Sequence, residues 1–333
     1  MYTHSLILTH LGESIPYYMK DCVHQLRLWN PSSETIIYII LDSFHENTEF
    51  WTNLVQTYSV NLIYTSTLEK TVRHKMFIQY YNGDTSFRDG YWQKVKERFF
   101  YIEELMARES LVSCIAMEYD VLVYCSLTTL IPLLEKYTNK LSFAMDAPER
   151  GHPGFMYVPT ADSIGCFNEY ILTNIKNNYE DMQLLSRYSS DFPEKVSHLP
   201  LISNERNAKI PKRCSEINKT PCTNSDFLSA GFDKIEHLFD SLVIGQWLGG
   251  IDPRNYSGHK TVGYRNEAAL YSIDEMKFLW KREGKLWTPI LDGIPLATIH
   301  VHSKALYCFL SDSANTPKAD YDILSLKKSL LQN

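Results

Sequence analysis

The sequence predicts an α/β protein built on a mixed, mostly parallel sheet flanked by helices. In the first 64 residues, short apolar segments typical of strands alternate with helical patterns. Residues 35–42 are almost wholly β-branched or aromatic, as expected of a strand buried on both faces. Strand–helix–strand order places successive strands parallel. In such a sheet, ligands bind beyond the carboxyl ends of the strands.

The first half of the chain contains most of the predicted strands. We expect strands at residues 5–9, 35–42, 60–64, 111–117 and 121–124, and helices at residues 16–29, 47–58 and 91–108. Residues 65–90 show no regular pattern. The helix at 91–108 is the strongest, with Trp92, Val95 and Phe99 on one side. No Gly-x-Gly-x-x-Gly follows the first strand, which excludes a standard dinucleotide site.

The second half mixes helices with fewer strands. We expect strands at residues 141–146, 155–158 and 297–304, helices at residues 127–137, 161–177, 179–188 and 235–248, and a sharp turn at residues 151–154. Ser126 and Thr160 are suited to cap the helices that follow them. Residues 189–226 are rich in Ser, Asn, Lys and Pro, which predicts a long insertion, either a solvated loop or a lid.

Composition excludes several classes of protein. The chain has 333 residues and a formal net charge of −6, which argues against nucleic-acid binding. Its seven cysteines are odd in number and form no Cys-x-x-Cys, as in proteins with reduced thiols. The N-terminal apolar run is too short for a signal peptide, and no segment is long enough to span a bilayer. We therefore expect a cytoplasmic protein.

Two carboxylates interrupt core-like sequence at Glu118-Tyr119-Asp120. Burying such groups is unfavourable unless a cation or hydrogen bonds compensate them. In an extended backbone, residues two apart point to the same side, so both carboxylates can converge on a divalent metal. The alternative is an acidic surface turn between two strands.

A second group of polar side chains lies on the closing strand. Strand alternation places His300, His302 and Lys304 on one face. Imidazole and two carboxylates suit Mn²⁺, with water and phosphate completing its coordination, and a lysine would neutralise phosphate charge. The alternative is an edge strand with solvated side chains. Combined with Glu118 and Asp120, the pattern favours a metal–phosphate site.

These residues resemble glycosyltransferases of the GT-A fold, which use nucleotide-sugar donors. Glu118-Tyr119-Asp120 is similar to their Asp-x-Asp motif, with Glu in the first position. The further segments that carry the resemblance are Trp92-x5-Arg98-Phe99-Phe100, the stretch 239–255 and His300-Val301-His302-Ser303-Lys304. The resemblance spans most of residues 5–305 and is strongest to small enzymes of large DNA viruses and bacteria. The Asn-Ser-Gly found in many such enzymes is His152-Pro153-Gly154 here.

The resemblance implies one GT-A domain over residues 1–333. It comprises a nucleotide-sugar-binding half (1–125), an acceptor-binding half with the closing metal-binding strand (126–305) and a C-terminal tail (306–333). The implied function is metal-dependent transfer of a sugar from a nucleotide-diphosphate-sugar, UDP-sugar favoured, to a glycan or protein acceptor.

The resemblance also assigns roles to individual residues. Asp120 with His302 (His300 as the alternative) would coordinate Mn²⁺ or Mg²⁺, and Glu118 would contact the metal or the donor ribose. Lys304 would bind phosphate, and Arg98 would face the donor. His10 and Asp42, at the ends of the first two strands, would hold the nucleoside.

Stereochemistry is left open by the sequence. An inverting enzyme needs a carboxylate base, for which Asp240 is the first choice and Asp252 the second. In a retaining enzyme, Asp240 or Gln246 would orient the donor sugar. A sugar nucleotidyltransferase is an alternative, although residues 10–13 lack the expected glycine-rich basic loop. A degenerate carbohydrate- or partner-binding protein of this fold is another.

Overall fold

The computed structural model describes residues 4–210, 225–255 and 262–331. The strands in these ranges are β1 (His4–His10), β2 (Thr35–Leu41), β3 (Asn61–Tyr64), β4 (Cys114–Met117), β5 (Val121–Val123), β6 (Leu141–Ala147), β7 (Arg150–Val158), β8 (Val196–His198), β9 (Phe278–Glu283), β10 (Leu286–Leu291), β11 (Ile294–Pro295) and β12 (Thr298–His300). The α-helices are α1 (Met19–Trp29), α2 (Glu49–Tyr58), α3 (Val72–Tyr80), α4 (Tyr91–Arg108), α5 (Leu127–Tyr137), α6 (Ala161–Thr173), α7 (Asp181–Asp191), α8 (Asn204–Lys209), α9 (Phe232–Ile235), α10 (Val243–Gly249) and α11 (Ile323–Leu331).

A seven-stranded mixed sheet forms the centre of the fold, with the order β3-β2-β1-β4-β7-β6-β8. Strand β1 pairs in parallel with both β2 and β4, and β7 runs antiparallel to β4 and β6. The predicted mixed, mostly parallel sheet flanked by helices is therefore confirmed. Because the chain leaves β1 for β2 on one side and places β4 on the other, a crevice opens at the carboxyl ends of β1 and β4, where ligands bind in such sheets.

Hydrophobic cores cover both faces of this sheet. Along β2, Ile37 and Ile39 belong to one core, whereas Tyr38 and Ile40 belong to the other. This alternation is why the strand is apolar at nearly every position. The predicted burial of residues 35–42 on both faces is confirmed for the strand itself, and Asp42 emerges at its end.

Two smaller sheets complete the architecture. Strand β5 pairs antiparallel with β12, which brings His300 opposite Val121. Strands β9, β10 and β11 form an antiparallel sheet that the sequence did not predict. The pairing of β5 with β12 brings the closing strand close to the end of β4.

Two local predictions in the middle of the chain are wrong. Helix α3 lies in the segment expected to be irregular; its pattern is weak because it buries only His74 and Phe77. The expected turn at 151–154 lies inside β7, where Gly151 allows close packing against Phe143 and Leu185.

Two predictions near the end of the chain are also wrong. The expected helix at 235–248 is split, since α9 ends at Ile235 and α10 begins at Val243. The closing strand β12 ends at His300 and does not continue to residue 304. The side chains that follow His300 therefore need not share its face.

The segment predicted as one long loop at 189–226 is partly regular. It contains the end of α7, strand β8, which pairs with β6, and helix α8. Residues 211–224 of this segment lie outside the described residues.

Five cysteines lie in the described ranges. All five are free thiols and four are buried, as expected for reduced cysteines. No helix in the described part of the chain has the length and apolar character that crossing a bilayer requires.

A buried charged cluster joins α3 to α4. His74 is fully buried and contacts Glu104 through Nδ1 (2.9 Å) and Glu97 through Nε2 (3.0 Å). Burial by itself would lower the pKa of His74, but the hydrogen bonds to Glu104 and Glu97 outweigh it and the pKa is raised. The imidazolium is thus stabilised in the folded protein.

The His74→Gln variant should lose stability in a pH-dependent way. Because the folded-state pKa is raised, the stabilisation is fully present below the unfolded pKa of about 6.5 and is lost as pH rises through the folded value. We expect a loss of about 2–3 kcal/mol at pH 6 and a smaller loss at pH 9, measured by urea unfolding. His24→Gln, which alters a partly exposed pair with Asp312, serves as the control. An equal loss at both pH values would contradict the prediction.

Candidate functional site

The Glu118–Asp120 segment is a turn at the crevice end of the sheet, between β4 and β5. Its two ends are held by backbone hydrogen bonds, from Glu118 N–H to Gly154 O (3.0 Å) and from Val301 N–H to Asp120 O (2.8 Å). The extended backbone that we expected here is therefore wrong. The turn is not a solvated one, since Asp120 is only 7% exposed. Neighbouring strands thus fix both carboxylates at the crevice.

His300 brings an imidazole to these two carboxylates. Its Nε2 lies 3.1 Å from Asp120 Oδ2 and 3.5 Å from Glu118 Oε2. One ligand atom from each of Glu118, Asp120 and His300 lies within 4.8 Å of the others. Gly154 makes room for the ring, since a Cβ there would be 2.8 Å from His300 Nδ1. This explains the glycine in the His152-Pro153-Gly154 segment.

The chemistry of this donor set fits a divalent metal. Two carboxylates and one imidazole are ligands that Mn²⁺ accepts, and water or phosphate oxygens would complete six-fold coordination. We call Glu118, Asp120 and His300 the acidic–imidazole cluster. It would hold the ion at the carboxyl ends of β1 and β4.

Lys304 ion-pairs with the same Asp120 oxygen that His300 approaches. Burial by itself would raise the pKa of Asp120, but His300 and Lys304 hold it well below its usual range. Its carboxylate is therefore ionised, as a metal ligand must be.

His302 does not join the cluster, because the chain leaves the strand after His300. Its Nδ1 accepts a hydrogen bond from the Asp252 N–H (3.1 Å). Burial, Lys304 and His300 lower the pKa of His302 to about 3, so the ring is neutral. Of the two histidines considered as metal ligands, the structure places the alternative, His300, beside the carboxylates, and it places His302 elsewhere.

Arg98 lies behind Glu118 and does not point to open solvent. Its guanidinium donates to Glu118 Oε1 and to Asp181 Oδ2, both at 2.6 Å. The cluster is thus tied through Arg98 to the first residue of α7. Sequence reasoning missed Asp181, because only the tertiary structure brings α7 to this point.

His10 and Asp42 lie at the ends of β1 and β2, as predicted. His10 donates from Nε2 to Ser14 O (2.7 Å), and its Nδ1 accepts from the Tyr119 hydroxyl (3.0 Å). Burial lowers the pKa of His10 to about 4. Asp42 accepts from the Gly12 N–H (2.8 Å). Both residues shape the loop after β1, and the His10–Tyr119 contact reaches the middle of the β4–β5 turn.

Asp240, the first candidate base, is engaged in hydrogen bonds to the backbone. Its carboxylate accepts four backbone N–H groups, which belong to Leu242 (3.0 Å), Ile244 (2.9 Å), Gly245 (2.8 Å) and His300 (2.9 Å). Burial raises its pKa against these hydrogen bonds. Since each oxygen already accepts two donors, Asp240 has no free lone pair for an acceptor hydroxyl. It fixes the start of α10 to His300 on β12.

Asp252, the second candidate base, is paired with Arg254. The guanidinium donates from Nη2 to Oδ2 (2.8 Å) and from Nε to Oδ1 (3.1 Å). Burial would raise the pKa of Asp252, but Arg254 and Lys304 lower it. A carboxylate stabilised in this way is a weak base, so the structure does not support it as proton acceptor either. The sequence suggested no role for Arg254.

A cavity of about 610 Å³ opens beside His302. A chain of hydrogen bonds lines it, from Arg150 to Asn266 Oδ1 (3.2 Å) and from Asn266 to Gln246 Oε1 (2.9 Å). Gln246 Nε2 lies 3.5 Å from His302 Nδ1. Gln246 is thus a cavity residue. Arg150 and Asn266 carried no sequence signal for this position.

Searches with the chain gave matches among solved structures only; no protein-family model and no curated protein matches it. One match is mouse xyloside xylosyltransferase 1 in its apo form, at 9% identity over 62% of this chain and 90% of that chain, with TM-score 0.44. PaToxG glycosyltransferase matches at 11% identity over 70% and 86%, with TM-score 0.43. An active-site mutant of LgtC, a galactosyltransferase, matches at 13% identity over 71% and 85%, with TM-score 0.45. All three of these solved structures are named as glycosyltransferases or as a mutant of one.

Asp240→Asn should destabilise the protein. The amide offers one acceptor oxygen, so two of the four backbone N–H groups lose their partner in a buried place. We expect a loss of about 3 kcal/mol in the free energy of unfolding, measured with urea. Asp233→Asn, on the short helix α9, is the matched control. Unchanged stability of the Asp240 variant would return this residue to consideration as a base.

Replacement of the two histidines should separate their roles. His300→Ala removes a metal ligand and should weaken Mn²⁺ binding at least about tenfold. His302→Ala leaves the cluster intact and should change Mn²⁺ affinity little. Titration calorimetry with Mn²⁺ measures both. The reverse order of effects would restore His302 as the ligand.

Proposed function

We propose that this protein is a metal-dependent glycosyltransferase that moves a sugar from a nucleotide-diphosphate-sugar donor to a glycan or protein acceptor. The observation that carries the proposal is the acidic–imidazole cluster beside Lys304 at the carboxyl ends of β1 and β4. This edge is the ligand-binding edge of a mostly parallel sheet. A metal site beside a lysine suits a diphosphate, whose negative charge both can balance.

The remaining residues divide between donor and acceptor. His10 and Asp42 lie where a nucleoside would extend from the diphosphate along the crevice. The cavity beside His302 has the volume of a small-ligand site, and its Arg150 and Asn266 side chains suit the hydroxyls of a sugar acceptor.

The chemistry requires stabilisation of a departing nucleoside diphosphate. A bound Mn²⁺ or Mg²⁺ would supply Lewis-acid stabilisation of that leaving group. Glu118, Asp120 and His300 would hold the ion, and the Lys304 ammonium would neutralise phosphate charge. Arg98 fixes Glu118 by its pairing with Asp181. Because Asp240 and Asp252 are both engaged, we favour the retaining course, with Gln246 orienting the donor sugar.

A donor screen tests this function. Thermal-shift measurements with UDP-, GDP- and TDP-sugars, UDP-sugars first, should show stabilisation that depends on added Mn²⁺ and disappears with EDTA. The matching ligand should also be hydrolysed slowly in the presence of metal. Asp120→Ala should abolish this hydrolysis because it removes a metal ligand and the partner of Lys304.

The screen also separates the alternatives. A sugar nucleotidyltransferase would release pyrophosphate from a nucleoside triphosphate and a sugar 1-phosphate. A degenerate binding protein would bind a carbohydrate without metal-dependent hydrolysis. Full hydrolysis by Asp120→Ala would contradict the site, and no response to any nucleotide sugar would contradict the function.

A further inference from the structure

Lys304 occupies an unusual position for a phosphate-binding lysine. Its side chain is only 10% exposed, and its ammonium contacts Asp120 Oδ2, within the acidic–imidazole cluster. The charge of Asp252 also acts on it. A largely buried ammonium is unfavourable unless an anion compensates it, so the ion pair with Asp120 is what holds Lys304 in place.

The backbone at Lys304 is strained in a way that fits this position. Its φ is +69°, a left-handed conformation that non-glycine residues rarely adopt. The residue ends a turn in which its N–H donates to Val301 O (3.0 Å). The turn directly follows β12 and directs the chain so that Lys304 returns to the carboxylate that His300 also contacts. Strained residues of this kind concentrate where geometry serves a function.

The ammonium and a metal ion compete for the same carboxylate. Asp120 Oδ2 is already shared by the His300 Nε2 and the Lys304 Nζ. A divalent cation that bound Asp120 Oδ2 would come close to the ammonium, and like charges repel strongly in a buried place. Metal binding at this oxygen would therefore require the ammonium to leave it.

We propose that Lys304 is a substitute cation that weakens metal binding until a diphosphate draws its ammonium away from Asp120. The inference rests on the proposed function, because it takes the acidic–imidazole cluster as the metal site. Diphosphate oxygens offer the ammonium a new anionic partner. Metal and diphosphate then favour each other's binding by the same factor, since coupling between two ligands is reciprocal. The site therefore stays poor in metal until a donor is present.

The test measures the affinity of the protein for Mn²⁺ alone, without nucleotide. The electron paramagnetic resonance signal of free Mn²⁺ reports how much of the ion is bound. Lys304→Met should bind Mn²⁺ at least about tenfold more tightly than the unmodified chain, because the competing charge is gone. UDP should increase Mn²⁺ affinity in the unmodified chain and do so less in Lys304→Met.

Two further variants keep the result interpretable. Lys304→Asn also removes the charge, and Asn tolerates the left-handed backbone, so it should tighten Mn²⁺ binding even if Lys304→Met folds poorly. Lys94→Met is the matched control, since Lys94 pairs with Asp89 and lies beside Gly12 at the same end of the sheet. It should change Mn²⁺ affinity by less than about twofold, because charges that do not share a carboxylate are screened.

The outcomes distinguish this inference from the function on which it rests. If the unmodified chain binds Mn²⁺ and the Lys304 variants bind it equally or more weakly, the substitute-cation role is wrong and the metal site stands. If neither the unmodified chain nor the Lys304 variants bind Mn²⁺, with or without UDP, the metal site itself is wrong. If Lys94→Met gained as much Mn²⁺ affinity as the Lys304 variants, the effect would come from the loss of any nearby positive charge. That result would overturn the inference.

Discussion

The ionised carboxylate of Asp120 requires cationic partners, and this requirement determines which side chains line the crevice around it. It is buried at the end of the central sheet, where an unpaired charge would destabilise the fold by about 3–5 kcal/mol. His300 and Lys304 provide the compensation, and both come from the closing segment of the chain. The requirement to pair one anion therefore joins Asp120 to a lysine 184 positions away. The same pairing assembles the residues that could hold a metal.

Four features of the surrounding structure position His300. Strand β12 pairs with β5, so that His300 lies opposite Val121, next to Asp120. The Asp240 carboxylate accepts the His300 N–H, and Gly245 permits the close approach of α10, since a Cβ there would be 1.8 Å from His300 O. Gly154 leaves space for the imidazole ring next to its Nδ1 atom. Asp240, which the sequence suggested as a catalytic base, thus stabilises the site instead.

The other carboxylates near Asp120 are also paired with cations. Glu118 is held by Arg98, which is held in turn by Asp181, and Asp252 is held by Arg254. Each of these carboxylates near the crevice has a cation before any ligand arrives. Under the proposed function, a metal and a diphosphate would exchange partners with these existing ion pairs. Such an exchange would make binding of the two ligands interdependent, because each one would release a charge that the other can satisfy.

The sequence by itself determined the succession of strands and helices in the first half, the position of Glu118 and Asp120 at a strand end, and the grouping of carboxylates with the closing histidines. These features follow from local periodicity and composition, which the chain carries without reference to distant residues. Only the tertiary structure places His300, and not His302, beside the two carboxylates. This placement depends on β12 ending at His300. The sequence pattern of alternating residues continues to Lys304, so it does not reveal where the strand ends.

The hydrogen-bond partners of Asp240, Asp252 and Arg98 were likewise set by the fold. A carboxylate is a base or a cap according to which N–H groups and guanidinium groups surround it, and here those groups come from α10, β12 and Arg254. Asp181 and Asn266 became visible only as neighbours of residues far away in sequence. Sequence patterns identify the chemistry that a residue type can perform. Long-range packing fixes its partners, and the partners determine which chemistry remains available.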